Sequence, residues 1–482
     1  MKLVQRFKNA VKAFRYEAVE SSPTRRTIYV STKSEDQELS PQKRKALVSE
    51  SRDQQRNFTL AGFALRKHLQ FVSYYRFSAE TPNREFNRAL ERRLDAWKRR
   101  ENCDGARRSA FDELLTLVES HRAVDGDVGI LRRSDGRIQI VEGDRIKNPP
   151  EDRLTQADQR EAEISRARGS ANPDATPARC WVNGVEIDRD GVAKRYAIWS
   201  RDRNGTLVYE RNVSADVFDL IAYRTRRDQI RGVSLFAPAV KMISYLYDGL
   251  DYALAKLKLE QMMGIVTKLE DGGNLVGVSG TDPNVVGGAL REKFGRDLLH
   301  IALKTGEEAA FMESNNPSQN FQSFTELVSR LIFASLDLPY SFFDGSKTNF
   351  YGSKGEFEQY LDTVEKKQAP TIATLNEWVF DWLLPNWVAE GSIQLPTGWT
   401  IDKVREDCGW KGSGLPYWRL FEYVKQTQTA INGGLVDPYA LADSFGESFT
   451  RNIEKLKQAR EYAQENGVFL PYGEPVKTNV GL

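Results

Sequence analysis

Cysteine and histidine are nearly missing from this chain, three of each in 482 residues. Cys103, Cys180 and Cys408 lie far apart and are odd in number, which excludes a disulfide framework or a paired-cysteine zinc site and fits a reducing compartment. His68, His121 and His300 share no metal-ligand spacing, so each reads as an ordinary core or surface histidine, and no metal or other cofactor is expected. An excess of charge of one sign is missing too. Lys and Arg total 69 against 67 Asp and Glu, so the chain lacks the uniform basic field of a tight nucleic-acid binder, and any DNA contact has to be local or weak. There is no uncharged apolar run of membrane-spanning length, and residues 1–19 lack the core and cleavage site of a signal peptide, so a soluble protein is expected. No glycine-rich phosphate loop is present: Gly345-Ser346-Lys347-Thr348 lacks the upstream glycine and the spacing. Asp125 and Asp127 are candidate metal carboxylates, but a turn beside a strand explains them more simply.

What is present is a core-forming composition, 40% hydrophobic and 11% aromatic, long enough for several domains. Near the start, Leu3, Val4, Phe7, Val11 and Phe14 fall on one helical face, which suits an arm docking on a neighbouring subunit better than a membrane-surface helix. Residues 21–52 are rich in Ser, Thr, Lys, Gln and Glu and read as an extended arm or linker, with the first folded unit after them. Apolar spacings of three and four make residues 57–100 helical, and Arg92, Arg93, Lys98, Arg99 and Arg100 form the outer side of the amphipathic segment 84–100. Such a charge run reads first as a solvated face and second as a DNA contact.

A helix over 110–121 precedes a hairpin, 128–131 with 138–141 around Ser134-Asp135-Gly136. Strands at 179–185, 194–199 and 206–210, parted by Asn183-Gly184, Asp190-Gly191 and Asn204-Gly205, continue a mixed α+β region. Between them, 149–177 reads as a surface excursion. A long helix is expected over 238–268, then a small α/β insertion over 270–319, then a helix over 321–336. Pro339 and Asp344-Gly345-Ser346 stop that helix, Phe350-Tyr351-Gly352-Ser353 continues a loop, and 354–387 is helical with a kink predicted at Pro370. Residues 416–466 are helical around Asn432-Gly433-Gly434, and an extended tail follows.

Several segments, in order, resemble the lambda-type family of phage portal proteins over residues 52–468. They are His121 to Asp127, of the type His-x-x-x-Asp-Gly-Asp; Arg226-Arg227-Asp228-Gln229-Ile230-Arg231-Gly232-Val233-Ser234 with Pro238; and Leu338-Pro339-Tyr340. Asn349-Phe350-Tyr351-Gly352-Ser353 follows, then Gly434-Leu435-Val436-Asp437 with the charged helix 454–466. No motif is specific alone; their order and spacing are. Gly352 stands where the family commonly has Ser, and Asp228 and Ile230 interrupt a run that is commonly Pro-Gly-Gln, differences of loop detail.

The resemblance implies an α+β, mostly helical portal-type fold: an N-terminal arm (1–52), an α/β wing (53–233), a stem helix (234–268), a small α/β clip (269–320) and a second stem helix (321–337). A tunnel loop (338–354), a kinked long helix returning to the wing (355–415), a helical crown (416–468) and a tail (469–482) complete it. It further implies a closed ring of identical subunits, a dodecamer, at one vertex of the phage head, through which double-stranded DNA passes without sequence preference. The implied partners are terminase, a head-completion or adaptor protein and the major capsid protein. No membrane and no catalysis are implied, and the protein would sit in the virion after assembly in the host cytoplasm. Lys347, Asn349, Phe350, Tyr351 and Lys354 would belong to the tunnel loop, with Phe350 and Tyr351 equally well explained by packing on the stem. Lys256, Lys258 and Lys268 are channel candidates on the stem, balanced by Glu260 and Glu270, and Arg291, Lys293 and Arg296 are clip docking candidates. A coat or adaptor protein, and behind it a DNA-packaging enzyme, are the rival readings.

Overall fold

The structure, a computed structural model, describes residues 33–150, 179–188, 190–262, 265–268, 285–286, 289–294, 298–303, 319–346, 349–412, 420–445 and 447–468. The N-terminal amphipathic segment, most of the 149–177 excursion and the C-terminal tail lie outside them, and so do Lys347 and Arg296.

The first departure from the sequence reading is helix α1, Pro41–Asn57, where an extended arm was expected. Proline at its first turn suits a helix start. Its buried face is Arg44, Val48, Ser51 and Gln54, so an apolar stripe is missing and charge does the docking. Helix α2, Thr59–Val72, follows and buries Ala61, Ala64, Leu65, His68 and Val72. A second departure is strand β1, Tyr75–Ala79, inside a stretch expected to be helical. Four of its five residues are buried, so no alternation betrays it, and its antiparallel partner is the distant strand Cys408–Gly412. Helix α3, Arg84–Trp97, is as expected: the Asn83 side chain accepts from the Phe86 N–H, and Phe86, Leu90, Leu94 and Trp97 form its buried stripe.

Helix α4, Phe111–Asp125, ends at Gly126 in the left-handed region. Strand β2, Asp127–Arg132, then pairs antiparallel with β3, Ile138–Glu142. The Asn183-Gly184 turn divides one expected strand into β4, Arg179–Val182, and β5, Val185–Asp188. Strands β6, Ala193–Arg201, and β7, Leu207–Ser214, complete the sheet β4-β5-β6-β7. Strand β8, Phe218–Ala222, joins the other edge of β2, giving the order β3-β2-β8.

Helix α5, Val240–Met262, is shorter than expected, because Ile265–Lys268 is strand β9. Two β-branched residues and a threonine, Ile265-Val266-Thr267, favour the extended backbone there. Strands β10, Val285–Val286, β11, Ala289–Phe294, and β12, Leu298–Leu303, form with β9 a sheet ordered β10-β11-β12-β9, in which only β12 and β9 run parallel. Within 270–318 the described residues are strands β10, β11 and β12, and the remainder of the small α/β insertion expected there lies outside the described residues. Helix α6, Gln319–Ser335, returns beside α5 and ends through Asp337 in the left-handed region, with the Leu338 N–H donating to the Phe333 carbonyl.

Helix α7, Phe350–Ala373, starts four residues before the expected point, since the Asn349 carboxamide oxygen accepts from the Gly352 N–H and caps it. Phe350, Tyr351, Gly352, Ser353 and Lys354 are therefore its first turns and not loop. The break expected at Pro370 takes the form of π-helical turns over Thr374–Phe380, followed by helix α8, Asp381–Ala389. Helix α9, Ile401–Asp407, leads into β13, Cys408–Gly412, and helices α10, Leu420–Asn432, α11, Pro438–Ser444, and α12, Phe449–Glu465, end the described chain.

Three cores result. One centres on Trp410 and joins α3, α4, β1, β2 and the π turns; a second joins α2, α5, α6 and α7; a third lies between the two small sheets. Cys103 and Cys408 are free and buried, and burial pushes both thiols up to about 12. Among the described residues no helix is long and apolar enough to cross a membrane.

Candidate channel and ring-contact elements

Two of the motifs singled out in the sequence, His121 to Asp127 and Arg226 to Ser234, meet before the start of α5. Gly126 and Gly232 face each other so closely that a Cβ on Gly232 would come within 1.9 Å of the Gly126 carbonyl oxygen, so neither position tolerates a side chain. That approach brings Asp127 onto Arg231: Nε donates to Oδ2 at 2.7 Å and Nη2 to Oδ1 at 2.8 Å. Oδ2 also accepts from the Gly232 N–H at 2.9 Å and from Arg44 of α1 at 2.9 Å. Arg231 spends its remaining donors on the carbonyls of Gly143, Ile146 and Asn183, and Arg44 also donates to the Gly232 carbonyl. Burial would raise the Asp127 carboxyl, but Arg231 and Arg44 outweigh it and hold it at about 2.

About two turns along α1 from Arg44, Arg52 grips Asp125 with both arms, at 2.7 and 2.6 Å, and reaches Glu142 and Asp144. Two candidate metal carboxylates are thus neutralised by arginine, and no metal-holding cluster occurs among the described residues. Gln54, at the far end of α1, donates to the Val240 carbonyl and the Ser244 hydroxyl of α5. Helix α1 therefore ties β2 and the end of α4 to the start of α5.

A second buried knot ties α7 to α4. Glu119 receives Arg122 at 2.7 Å, the Tyr223 hydroxyl at 2.6 Å and His68 Nε2 at 2.6 Å. Burial, the larger influence, lowers the His68 pKa despite Glu119, so the ring is neutral, donates through Nε2 and leaves Nδ1 without a partner. Arg122 also donates to the Lys367 carbonyl and the Thr371 hydroxyl of α7. The Lys367 ammonium caps the end of α6 at the Leu336 carbonyl and pairs with Asp337.

The segment expected as a tunnel loop divides in two. Its first half is pinned: Phe342 stacks on Phe71 at 5.4 Å, and Phe343 packs against Phe63 and Phe333. Ser341 donates to Glu356 of α7. Its second half leads from Asp344 to the cap Asn349, after which Tyr351 is 79% exposed and Lys354 pairs loosely with Glu358 at 3.4 Å. Of the stem candidates, Lys258 is exposed, Lys256 is half-buried, and Lys268 lies on β9 instead of the helix. Arg291 and Lys293 sit on β11, in register with Ile301 and Leu299 of β12.

A feature that sequence reasoning missed lies on α5 and α6. While Val328, Ile332, Phe333 and Leu336 face the core, Phe324, Leu327, Leu331 and Ala334 form a second apolar stripe that faces outward. On α5, Tyr245, Tyr252 and Leu254 are 68%, 77% and 54% exposed. The signal was present: both helices carry more apolar positions than one buried face uses.

Residues 22–368 match the family model described as phage portal protein, lambda family. The chain belongs to that family. Similar solved structures include a chain from the "Virion of native gene transfer agent (GTA) particle", 11% identical, covering 83% of this chain and 93% of that chain with a TM-score of 0.44. The "Neck of native GTA particle computed with C12 symmetry" (11% identity, TM-score 0.43) and the "Neck of empty GTA particle computed with C6 symmetry" (12%, 0.44) match over the same shares of both chains. No curated protein matches.

Asp127→Asn should leave two buried guanidiniums without a counter-charge and lower unfolding stability in urea by about 3–5 kcal/mol. The wild-type carboxyl, depressed from 3.8 to about 2, gives stability that is present above pH 3.8 and lost as pH falls through 2. That acid-dependent component should vanish in the variant.

Proposed function

We propose that the chain is the subunit of a closed ring of identical copies, twelve in the mature head, at the unique vertex of a phage capsid. Double-stranded DNA enters and leaves through its channel. In this reading the protein is a structural part of the virion, assembled in the host cytoplasm, and not an enzyme. The observation that carries it is the uncovered apolar stripe Phe324, Leu327 and Leu331 on α6, paired with the exposed Tyr245, Tyr252 and Leu254 on α5. A lone subunit would leave these in water, whereas each large side chain contributes about 1.5–3 kcal/mol when covered. Two different faces on one subunit make a head-to-tail contact, and such contacts give a closed ring where the rotation between neighbours closes.

Within that ring, the segment 269–320 supplies the docking surface for terminase and later for the head-completion protein, through Arg291, Lys293 and Arg296. The wing meets the major capsid protein. Lys347 and Lys354, with Asn349, Phe350 and Tyr351, form a belt around the bore in which few cations touch phosphates and DNA still slides. Lys256, Lys258 and Lys268 add to the lining above it.

The purified protein should appear in electron-microscope class averages and native mass as a closed ring of about a dozen copies. Leu327→Asp with Leu331→Asp should give folded monomers; a wild-type monomer, or rings undisturbed by these charges, would contradict the assignment. Lys347→Ala with Lys354→Ala should leave the ring intact and change DNA packaging or retention. Heads that fill and hold DNA normally would remove this belt from the mechanism.

A further inference from the structure

The segment that follows α3 carries a basic surface tip whose chemistry the channel reading does not use. Residues 98–108 carry Lys98, Arg99, Arg100, Arg107 and Arg108 against only Glu101 and Asp104, in a chain that is otherwise almost charge-balanced. The hairpin turn between β2 and β3 abuts this segment and adds Arg133 and Arg137. The Gly105 N–H donates to the Ile138 carbonyl at 2.8 Å, and the Arg137 Nε donates to the Glu101 carbonyl at 2.9 Å.

The two turns are rigidly built. Asp104 is buried and its carboxylate accepts the N–H groups of Ala106, Arg108 and Ser109 at 2.9, 2.7 and 3.1 Å. Its negative charge is therefore spent inside the turn. The same turn holds Arg107 at φ 56, a conformation costly for a residue with a Cβ. Asp135 is shared between Arg133 and Arg137, and Glu101 pairs with Arg100. Arg99, Arg107 and Arg108 are exposed and make no side-chain hydrogen bond or ion pair among the described residues, although Glu101 and Asp104 act on Arg99 and Arg108 through space.

We propose that this tip binds the phosphate backbone of double-stranded DNA outside the channel. Guanidiniums free of ion pairs, carried on a rigid double turn, suit phosphate binding, since it needs charge and position but no sequence readout. A protein partner would need an apolar centre to its interface. Among the described residues, no large apolar side chain is exposed between Tyr74 and Leu117, so the tip has none to offer. The proposal concerns a surface apart from the bore and stands whether or not the chain closes a ring.

The test is fluorescence anisotropy of a short blunt duplex of mixed sequence with the full-length protein across a salt series. Ring size is checked by native mass on the same samples. Wild type should bind with log affinity falling linearly in log salt. Arg99→Ala, Arg107→Ala and Arg108→Ala together should weaken binding at least about tenfold and flatten the slope by roughly 0.9 for each phosphate that is no longer neutralised. The corresponding triple Lys variant should keep most of both. A charge-matched control, Arg203→Ala, Arg211→Ala and Lys457→Ala, removes three exposed cations elsewhere and should leave most of the affinity. An unchanged affinity in the tip variant, or an equal loss in the control, overturns the proposal. So does a tip that ignores the duplex and captures a polyglutamate peptide.

Discussion

Asp127 is wholly buried, and it stays ionised only because Arg231 and Arg44 reach it from two other parts of the chain and the Gly232 N–H completes its shell. Removing three ions from water costs several kcal/mol apiece, and that cost is met only where all of them arrive in good geometry. The arrangement is therefore closer to a lock than to a glue. It joins β2, the turn before α5, the loops after β3 and β4, and helix α1 at one point, so the direction in which α5 leaves these strands is set there. In the proposed ring, where α5 would meet a neighbour at a defined angle, such a joint has a physical use.

The Glu119 knot repeats the device on the other side. Here one carboxylate gathers His68, Arg122 and Tyr223, while Arg122 and Lys367 extend the network to α7 and to the end of α6. Helix α5 is thus tied to α1 and α7 to α4 by polar groups, and Lys367 of α7 caps the end of α6. Their apolar faces are divided between a core within the subunit and the outward stripe on α6. Rigidity inside and uncovered apolar surface outside suit a building block.

Much of this was legible in the sequence. The hairpin over β2 and β3, the amphipathic α3 and the pair α5 and α6 followed from period and turn chemistry. What escaped did so for physical reasons. Strand β1 is buried on both faces, so it shows no alternation, and its partner lies more than three hundred residues away. Helix α1 docks through Arg44, Arg52 and Gln54, which composition reads as solvated. Gly352 and Gly355 disguised the start of α7, where the Asn349 cap decides the matter. The Asp-Gly-Asp and Arg-Gly-x-Ser segments were visible as motifs, but their meeting depends on two glycines touching across more than a hundred residues, which no local pattern encodes.

The joint requires that α1, held mainly by charged and polar contacts, is part of the folded chain, and native-state amide hydrogen exchange at neutral pH tests this most directly. The account predicts that amides within Pro41–Asn57 and the Gly232 amide exchange as slowly as those of β2, in one cooperative unit. Exchange of α1 at the rate of a free peptide, with β2 still protected, would contradict it.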